Sequence, residues 1–294
     1  MVEDINKQVF KSKSRWDWLI AGFLALLLIL WMSQFVFDNP RWKWDEIGHY
    51  LFDARILSGL YRTIGLTIIS GFTGLVAGVV VAYLRLANNP VLNAVGAIFI
   101  WIIRAVPPLV LLLLIFFLGA LVPEIPIGMP YLDPIFSIDT NTAISTKFAA
   151  AIIGLTLYQA AYIGEIYRGG FSSISPGQHE AATALGMGTL IKMRRIISPQ
   201  LIRVIIPPLS NELITLFKNT SLAFVIGYTE LLTSAQLIYS VNYKTIPLLT
   251  VVSIWYLVLT SLAMFGQRQL ERRFSRGFDG KPAKKSIKRL GSHA

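Results

Sequence analysis

Few of the 294 residues carry groups that could do covalent chemistry. There is no cysteine, which excludes thiolate nucleophiles, disulfides and sulfur-ligated metals. His49, His179 and His293 are far apart in sequence and show no metal-ligand spacing. The one Gly-Lys pair, Gly280-Lys281, is followed by Pro282, so there is no G-x-x-x-x-G-K-[ST] loop to cradle nucleotide phosphates. No metal or cofactor is expected, and a membrane enzyme would need catalytic groups clustered at one depth. What remains are polar groups set inside apolar sequence. Arg104 lies in the apolar run 91–118, just before Pro107-Pro108. Lys218, Asn219, Thr220 and Ser221 form a polar patch in the weaker apolar region 209–241, which also carries Glu212 and Glu230.

Charges at membrane depth are costly and by default mark function. The chemistry open to these residues is noncovalent. Arg104 can bind a solute carboxylate, pair with an internal acid, or extend its head to an interface. The proline pair beside it must break the helical hydrogen bonding. Irregular backbone at that depth persists only where it is buried or faces a water-filled cavity. The Lys218–Ser221 patch can line a translocation path or hydrogen-bond between helices. Glu165 is expected to pair with Arg168 at the inner end of a helix, and Thr229 and Glu230 to form an outer rim.

The elements that must hold these groups read as an all-α integral membrane fold of about six transmembrane helices. Hydrophobic residues make up 54% of the chain and charged ones 15%, with a mean hydropathy of +0.59. Several uncharged runs approach the ~20 residues that span a bilayer. The first, 16–37, is too long for a signal-peptide core and lacks a small-x-small cleavage site, so it reads as a retained helix. A Trp-rich interfacial stretch follows at 38–55, with Trp42, Trp44 and Tyr50 suited to headgroup level. Further spans are expected at 58–84, 91–118, 148–166, 209–241 and 246–265. Gly74 and Gly78 in the second have the spacing that lets membrane helices approach closely. Residues 119–147, with four prolines, read as a long loop, and the tail from 267 is basic and expected to be disordered after 278.

Lysine and arginine concentrate in the N-terminal segment, in the loop 169–207 and in the tail. The positive-inside rule then places both termini and that loop in the cytoplasm. The net charge of +11 is thereby explained by topology, without nucleic acid.

The loop 169–207 is the most informative segment. Ser175-Pro176-Gly177-Gln178 reads as a helix start, with Ser175 and Gln178 forming a capping box and Pro176 at the first helical position. Gly186 suits the left-handed residue just past the end. The spacing predicts a short helix over 176–185, with small side chains at Ala181, Ala182 and Ala184. Such a helix either docks in another protein's groove or merely joins two spans.

Glu180-Ala181-Ala182, three residues, Gly186, nine residues, then Ile196-Ile197-Ser198-Pro199 resembles the EAA signature of binding-protein-dependent ABC importer permeases, with Ser198 where leucine is usual. The flanks sharpen this toward the polar amino acid permeases of the histidine/glutamine/arginine type. Ala160-Ala161-Tyr162-Ile163-Gly164-Glu165-Ile166-Tyr167-Arg168 resembles the run into the motif. Pro207-Pro208-Leu209-Ser210-Asn211-Glu212, Lys218-Asn219-Thr220-Ser221-Leu222 and Glu230-Leu231-Leu232 resemble the runs after it. Arg104-Ala105-Val106-Pro107 matches the family's Arg-Gly-Thr-Pro only at its ends, and Asn219 stands where aspartate is common.

The resemblance implies a type I ABC importer permease fold over about 58–268, with residues 1–57 (an extra helix and interfacial segment) and a basic tail 269–294 outside it. It implies a multi-pass protein of the bacterial cytoplasmic (inner) membrane that is not itself an enzyme. Gln178, Glu180, Ala181, Ala182, Gly186 and Pro199 would form the loop that couples to two ABC ATPase subunits. Arg104, Pro107, Lys218, Asn219, Thr220 and Ser221 are the candidate solute path. The implied partners are those ATPases, a second permease subunit (a copy or a homologue), an extracytoplasmic solute-binding protein, membrane lipid and a polar amino acid. An opine or another small zwitterion is the alternative cargo. An ion-coupled secondary transporter is a further alternative; it would show internal repeats around broken helices, which the sequence lacks.

Overall fold

A computed structural model describes residues 15–275, apart from 38, 130 and 131. The basic N-terminal residues before 15 and the tail beyond 275 lie outside the described residues, as does the disorder expected of that tail.

Helix α1, Arg15–Phe37, is apolar on every side, and none of its membrane-length window is buried within the chain. Its 23 residues span about 34 Å at 1.5 Å each, enough to cross a hydrocarbon core. Trp16 and Trp18 lie near one end and Trp31, Phe35 and Phe37 near the other, all exposed. Its far end meets Trp44, whose Nε1 donates to the Val36 carbonyl (3.1 Å) and whose ring stacks on Phe37.

The Trp-rich stretch is ordered. A 3-10 turn at Pro40–Trp42, capped by the Asn39 side chain, leads to α2, Trp44–Leu51. Ile47 and Tyr50 on its inner face are buried in a core with Leu231, Ala235, Ile238 and Leu248. Polar contacts fasten the same helix: Lys244 Nζ lies 2.5 Å from Glu46 Oε1, Asn242 donates to the Tyr50 hydroxyl (3.0 Å), and Trp255 Nε1 donates to the Leu51 carbonyl (2.9 Å).

Helices α3, Ala54–Leu86, and α6, Lys147–Ser172, form the centre of the body. They approach closely because glycines meet at the crossing. A Cβ on Gly78 would lie 2.6 Å from Ile163 Cγ2, and one on Gly164 would lie 2.6 Å from Val81 Cγ1. The small-residue spacing seen in the sequence therefore serves packing between helices.

The third span breaks where the prolines require it. Helix α4, Pro90–Ala105, and α5, Pro108–Phe116, meet at 103° around Val106-Pro107. The loop expected over 119–147 instead contains a two-stranded antiparallel hairpin, β1 Glu124–Ile127 and β2 Phe136–Asp139. Four-residue strands leave too little alternation to detect, and Pro126 is tolerated because a two-stranded ribbon is all edge. The fully buried Thr140 closes its base, donating to the Pro123 carbonyl (2.8 Å).

After α6 comes α7, Pro176–Ala184, and then α8, Ser198–Asn219, which carries Pro207 and Pro208 inside it. The span expected over 209–241 is really two pieces. A 3-10 segment, Thr220–Ile226, ends at Gly227 with φ +70, and α9, Leu231–Asn242, follows at a 44° bend. Glu230, expected at an outer rim, is fully buried. Its carboxylate caps α9 by accepting from the backbone N–H of Leu232 and Thr233, and it also takes the Tyr256 hydroxyl (3.2 Å). The last helix, α10, Thr245–Ser275, runs past the expected end at 265. Gln267 bonds there to Asn211 (2.8 Å) and Glu271 (2.7 Å), so polar contacts continue the helix beyond its apolar part.

Among the described residues, α1, α3, α6 and α10 are each long and apolar enough to cross a membrane. The two bent pairs bring the spans to six if each crosses once.

Candidate functional site

The polar segment between α6 and α8 is compact. Helix α6 runs on to Ser172, beyond the loop start expected at 169, because Gly170 lets α8 close in: a Cβ there would lie 2.3 Å from Ile205 Cγ2. Ile174, Ile197, Leu201 and Ile205 fill that junction. Helix α7 begins with Pro176 in its first turn, but the expected capping box does not form. The Ser175 side chain makes no cap bond, and Gln178 turns away from it to accept from Gln200 on α8. An amide able to reach a neighbouring element prefers that partner to its own helix end.

The C-terminus of α7 follows expectation. Gly186 has φ +71, its N–H donates to the Thr183 carbonyl (3.0 Å), and the Met187 N–H donates to the Ala182 carbonyl (3.1 Å). This paired arrangement is the Schellman end, which favours glycine at the left-handed position. Ala182 is buried, while Gln178, Glu180, Ala181 and Pro199 are exposed. Leu185 and Leu190 are about four-fifths exposed (79% and 81%). Lys192 Nζ donates to Thr183 Oγ1 (3.1 Å), tying the next turn back to α7. A π-helical turn, Met193–Ile197, then leads into α8, with Pro199 in its first turn. The result is a short helix pinned by one alanine and one glutamine, with apolar side chains facing outward.

The intramembrane candidates fall into two groups. Arg104, at the end of α4, holds its guanidinium 4.7 Å from the centre of the Tyr162 ring on α6. Pro107 caps α5 at the break. Tyr162 in turn packs on Tyr158, with ring centres 4.6 Å apart, and Tyr158 faces Glu212 and Asn219 of α8. Lys218, which precedes Asn219 in the chain, is exposed. The hydroxyls of Thr220 and Ser221 instead bond to the carbonyls of Phe217 (2.7 Å) and Lys218 (2.8 Å) of their own segment. Among the described residues, no hydrogen bond, ion pair or ring contact joins Arg104 to Lys218, Thr220 or Ser221. Glu165 and Arg168 pair through short two-pronged contacts.

Residue-type reasoning passed over Tyr158, Tyr162, Gln159 and Glu212 as site residues. Gln159 is fully buried and donates to the Glu212 backbone carbonyl (3.4 Å). Gln159 Oε1, Glu212 Oε1 and Ser70 Oγ are buried without a hydrogen-bond partner among the described residues. The tyrosines at i and i+4 with a glutamine between them were the signal available. Such spacing puts both rings on one face of a helix.

A family model for the binding-protein-dependent transport system inner membrane component matches residues 74–276. The chain belongs to this family. The match takes in α7, α8 and the tyrosine pair, and leaves α1 and α2 outside. This inner membrane component is 38% identical over 275 residues to the arginine transport system permease protein of Corynebacterium glutamicum, covering 93% of this chain and 84% of that one. It is 32% identical over 218 residues to the glutamine transport system permease protein of Escherichia coli K12, covering 74% and 92%. Among solved structures it resembles a chain from the crystal structure of an amino acid ABC transporter with histidines, at 30% identity and a TM-score of 0.62, covering 74% of this chain and 94% of that one. The type I ABC importer permease fold expected from the sequence is therefore the fold observed. The family match begins inside α3, whereas the similarity to the arginine permease extends along 93% of this chain, so the segment that holds α1 and α2 lies outside the family model without being peculiar to this chain.

Proposed function

We propose that this chain is the membrane-spanning subunit through which a polar amino acid enters the cell, with the energy supplied by ATP hydrolysis on partner chains. The observation that carries the reading is α7, a capped helix fastened to α8, with Leu185 at its C-terminal end and Leu190 in the separate turn that follows both exposed. Two ATPase subunits would each receive such a helix in a groove, one from this chain and one from a second permease subunit. A soluble receptor would deliver solute on the opposite face, with both termini and the α7 loop cytoplasmic.

The geometry supplies a path for the force. Helix α8 has 22 residues, a rod of about 33 Å. Gln200 near its start bonds to Gln178 of α7, while Glu212 and Asn219 further along face Tyr158. Displacement of α7 is thus carried to the tyrosines. Arg104, held by Tyr162, is suited to a carboxylate. The unpaired acceptors of Gln159 and Glu212 are suited to an ammonium or guanidinium group, since buried polar atoms call for partners. A solute carrying both kinds of charge fits, and the similarity to arginine and glutamine permeases supports an amino acid.

The test is uptake and ATP hydrolysis in proteoliposomes holding the chain with its ATPase and receptor. Candidate solutes are arginine, glutamine and an opine, and wild type is compared with Gly186→Glu. Receptor loaded with a polar amino acid should raise both activities in the wild type, and the variant should insert but not respond. If no amino acid drives uptake while an opine does, the cargo assignment is wrong. If the ATPase neither co-purifies nor responds, the subunit assignment is wrong.

A further inference from the structure

Among the described residues, three arginines act on the Glu165 carboxylate of α6, and they are not equally free. Arg168 holds it: its Nε lies 3.0 and 2.9 Å from the two oxygens and its Nη2 lies 2.5 Å from Oε1, with both side chains about one-third exposed. Arg85 and Arg104 act on the same carboxylate electrostatically, from further away. Arg85 is committed elsewhere. Its Nη1 donates to the Asn93 side-chain oxygen, and the Asn93 amide donates back to the Arg85 carbonyl (2.7 Å). Arg104 is not committed. Among the described residues its guanidinium makes no hydrogen bond or ion pair and rests on the Tyr162 ring.

Tyr162 and Glu165 are three residues apart on α6, so their side chains are neighbours on one face. Helix α6 leads into the polar segment that carries α7, which sets Glu165 about 4.5 Å beyond Tyr162 in that direction. Two seats for the Arg104 guanidinium thus lie one after the other along α6. A carboxylate with open acceptors holds a guanidinium more strongly than a ring face does. Arg104 occupies the ring because both Glu165 oxygens already accept from Arg168. Helix α4 ends one residue after Arg104, at the 103° break with α5. A change in that angle moves the guanidinium relative to α6.

We propose that Glu165 is the residue that draws Arg104 away from the solute's carboxylate on the α7 side, and that Arg168 times this step by holding Glu165 back. The inference rests on the transport reading, in which Arg104 binds that carboxylate. While Arg168 grips Glu165, Arg104 stays at Tyr162 with its donors open to solute. When the pair parts, Glu165 competes for Arg104, and the solute loses its cation on the side where it must leave. Glu165 is a positioning residue here, acting on solute through Arg104.

Equilibrium binding of labelled arginine, glutamine and an opine to the full chain assembled with its ATPase, without receptor, reads the site directly. Arg168→Gln frees Glu165, so the dissociation constant should rise roughly fivefold, the scale of a partly exposed ion pair. Arg168→Lys keeps the cation and should stay near the wild type. Glu165→Gln removes the competitor. Its dissociation constant should not rise, while its maximal uptake rate in proteoliposomes with receptor should fall because release slows. Glu165→Gln added to Arg168→Gln should restore the wild-type dissociation constant. A pair with only a structural role gives the opposite pattern: both single variants weaken binding alike and the double variant does not recover, and either result overturns the proposal. A second measurement needs no solute. In the Arg168→Gln complex, Arg104→Gln should lower the thermal denaturation midpoint, and adding Glu165→Gln should abolish that cost. Absence of coupling between positions 104 and 165 overturns the proposal. A wild type that neither binds nor transports any of the three solutes sinks the transport reading, whereas a working wild type whose variants do not split sinks this proposal alone.

Discussion

The Arg104 guanidinium sits 4.7 Å from the centre of the Tyr162 ring, so the charge at the broken end of α4 is steadied by a side chain of α6. A cation held this way keeps its donors available to a second anion. Replacing Tyr162 with leucine removes the quadrupole and leaves the helix. Because an interaction of this kind contributes about 1 kcal/mol, Tyr162→Leu should raise the solute concentration for half-maximal uptake roughly fivefold. Arg104→Ala should cost more. Both are read from uptake kinetics at equal amounts of inserted protein.

Gly186 provides a sharper test because only its backbone matters. No atom stands within 4 Å of a Cβ built there, yet φ is +71. Gly186→Val should therefore lose solute-stimulated ATP hydrolysis, at a conformational cost of about 1–2 kcal/mol. Gly186→Asn should retain most of it, because asparagine tolerates the left-handed region. If steric exclusion rather than backbone geometry were at issue, asparagine would fail as badly as valine.

The crossing of α3 and α6 predicts a rescue. Gly164→Ala places a methyl 2.6 Å from Val81 Cγ1, and overpacking of this kind costs about 1–3 kcal/mol. The single variant should lower the thermal denaturation midpoint of the purified chain. Combining it with Val81→Ala should recover only part of the loss, because the Val81 Cβ that alanine keeps stands 2.8 Å from the new methyl, and the remainder measures the backbone shift the crossing must make.

A pH effect is expected at the strap formed by α2. The Lys244 ammonium beside Glu46 holds its carboxyl below the usual value of 4.5, and Glu46 in return raises Lys244 above 10.5. A depressed carboxyl contributes stability that is present above its ordinary value and lost as pH falls through the folded one. A raised ammonium contributes below its ordinary value and loses that contribution as pH climbs through the folded one. The pair should hold unchanged from about pH 5 to pH 10 and weaken outside that window. Hydrogen exchange or limited proteolysis of α2 should accelerate below about pH 4.5, and Glu46→Gln should abolish that acid-side dependence.

Much of this was legible because certain residues admit few alternatives. Pro107-Pro108 favours a break, and α4 and α5 part there, although Pro207-Pro208 is carried inside α8. Gly186 stands where a short helix must stop, and it takes the left-handed conformation. Gly74 and Gly78 are spaced for close approach, and α6 fills that space. The misreadings share a cause, which is that the deciding partner lies far away in sequence. Gln178 leaves Ser175 for Gln200, and Glu230 is drawn into the core by Tyr256 and its own helix end. The hairpin at 124–139 has strands too short for alternation to show. Tyr158 and Tyr162 became site residues only when α8 brought Glu212 and Asn219 beside them. Local sequence records what a residue permits, and packing decides which permitted contact forms.

Helix α1 also bears on how the protein can be studied. Among the described residues, its contacts with the body lie near its end, through Val36, Phe37 and Trp44. Rearrangement among α3 to α10 therefore has no lever along most of its length. A fluorophore at Ala21 or Ala25 should report the viscosity and order of its surroundings while staying silent to nucleotide and solute, and one at Trp44 should register the working stroke. The chain carries its own internal reference beside its moving parts.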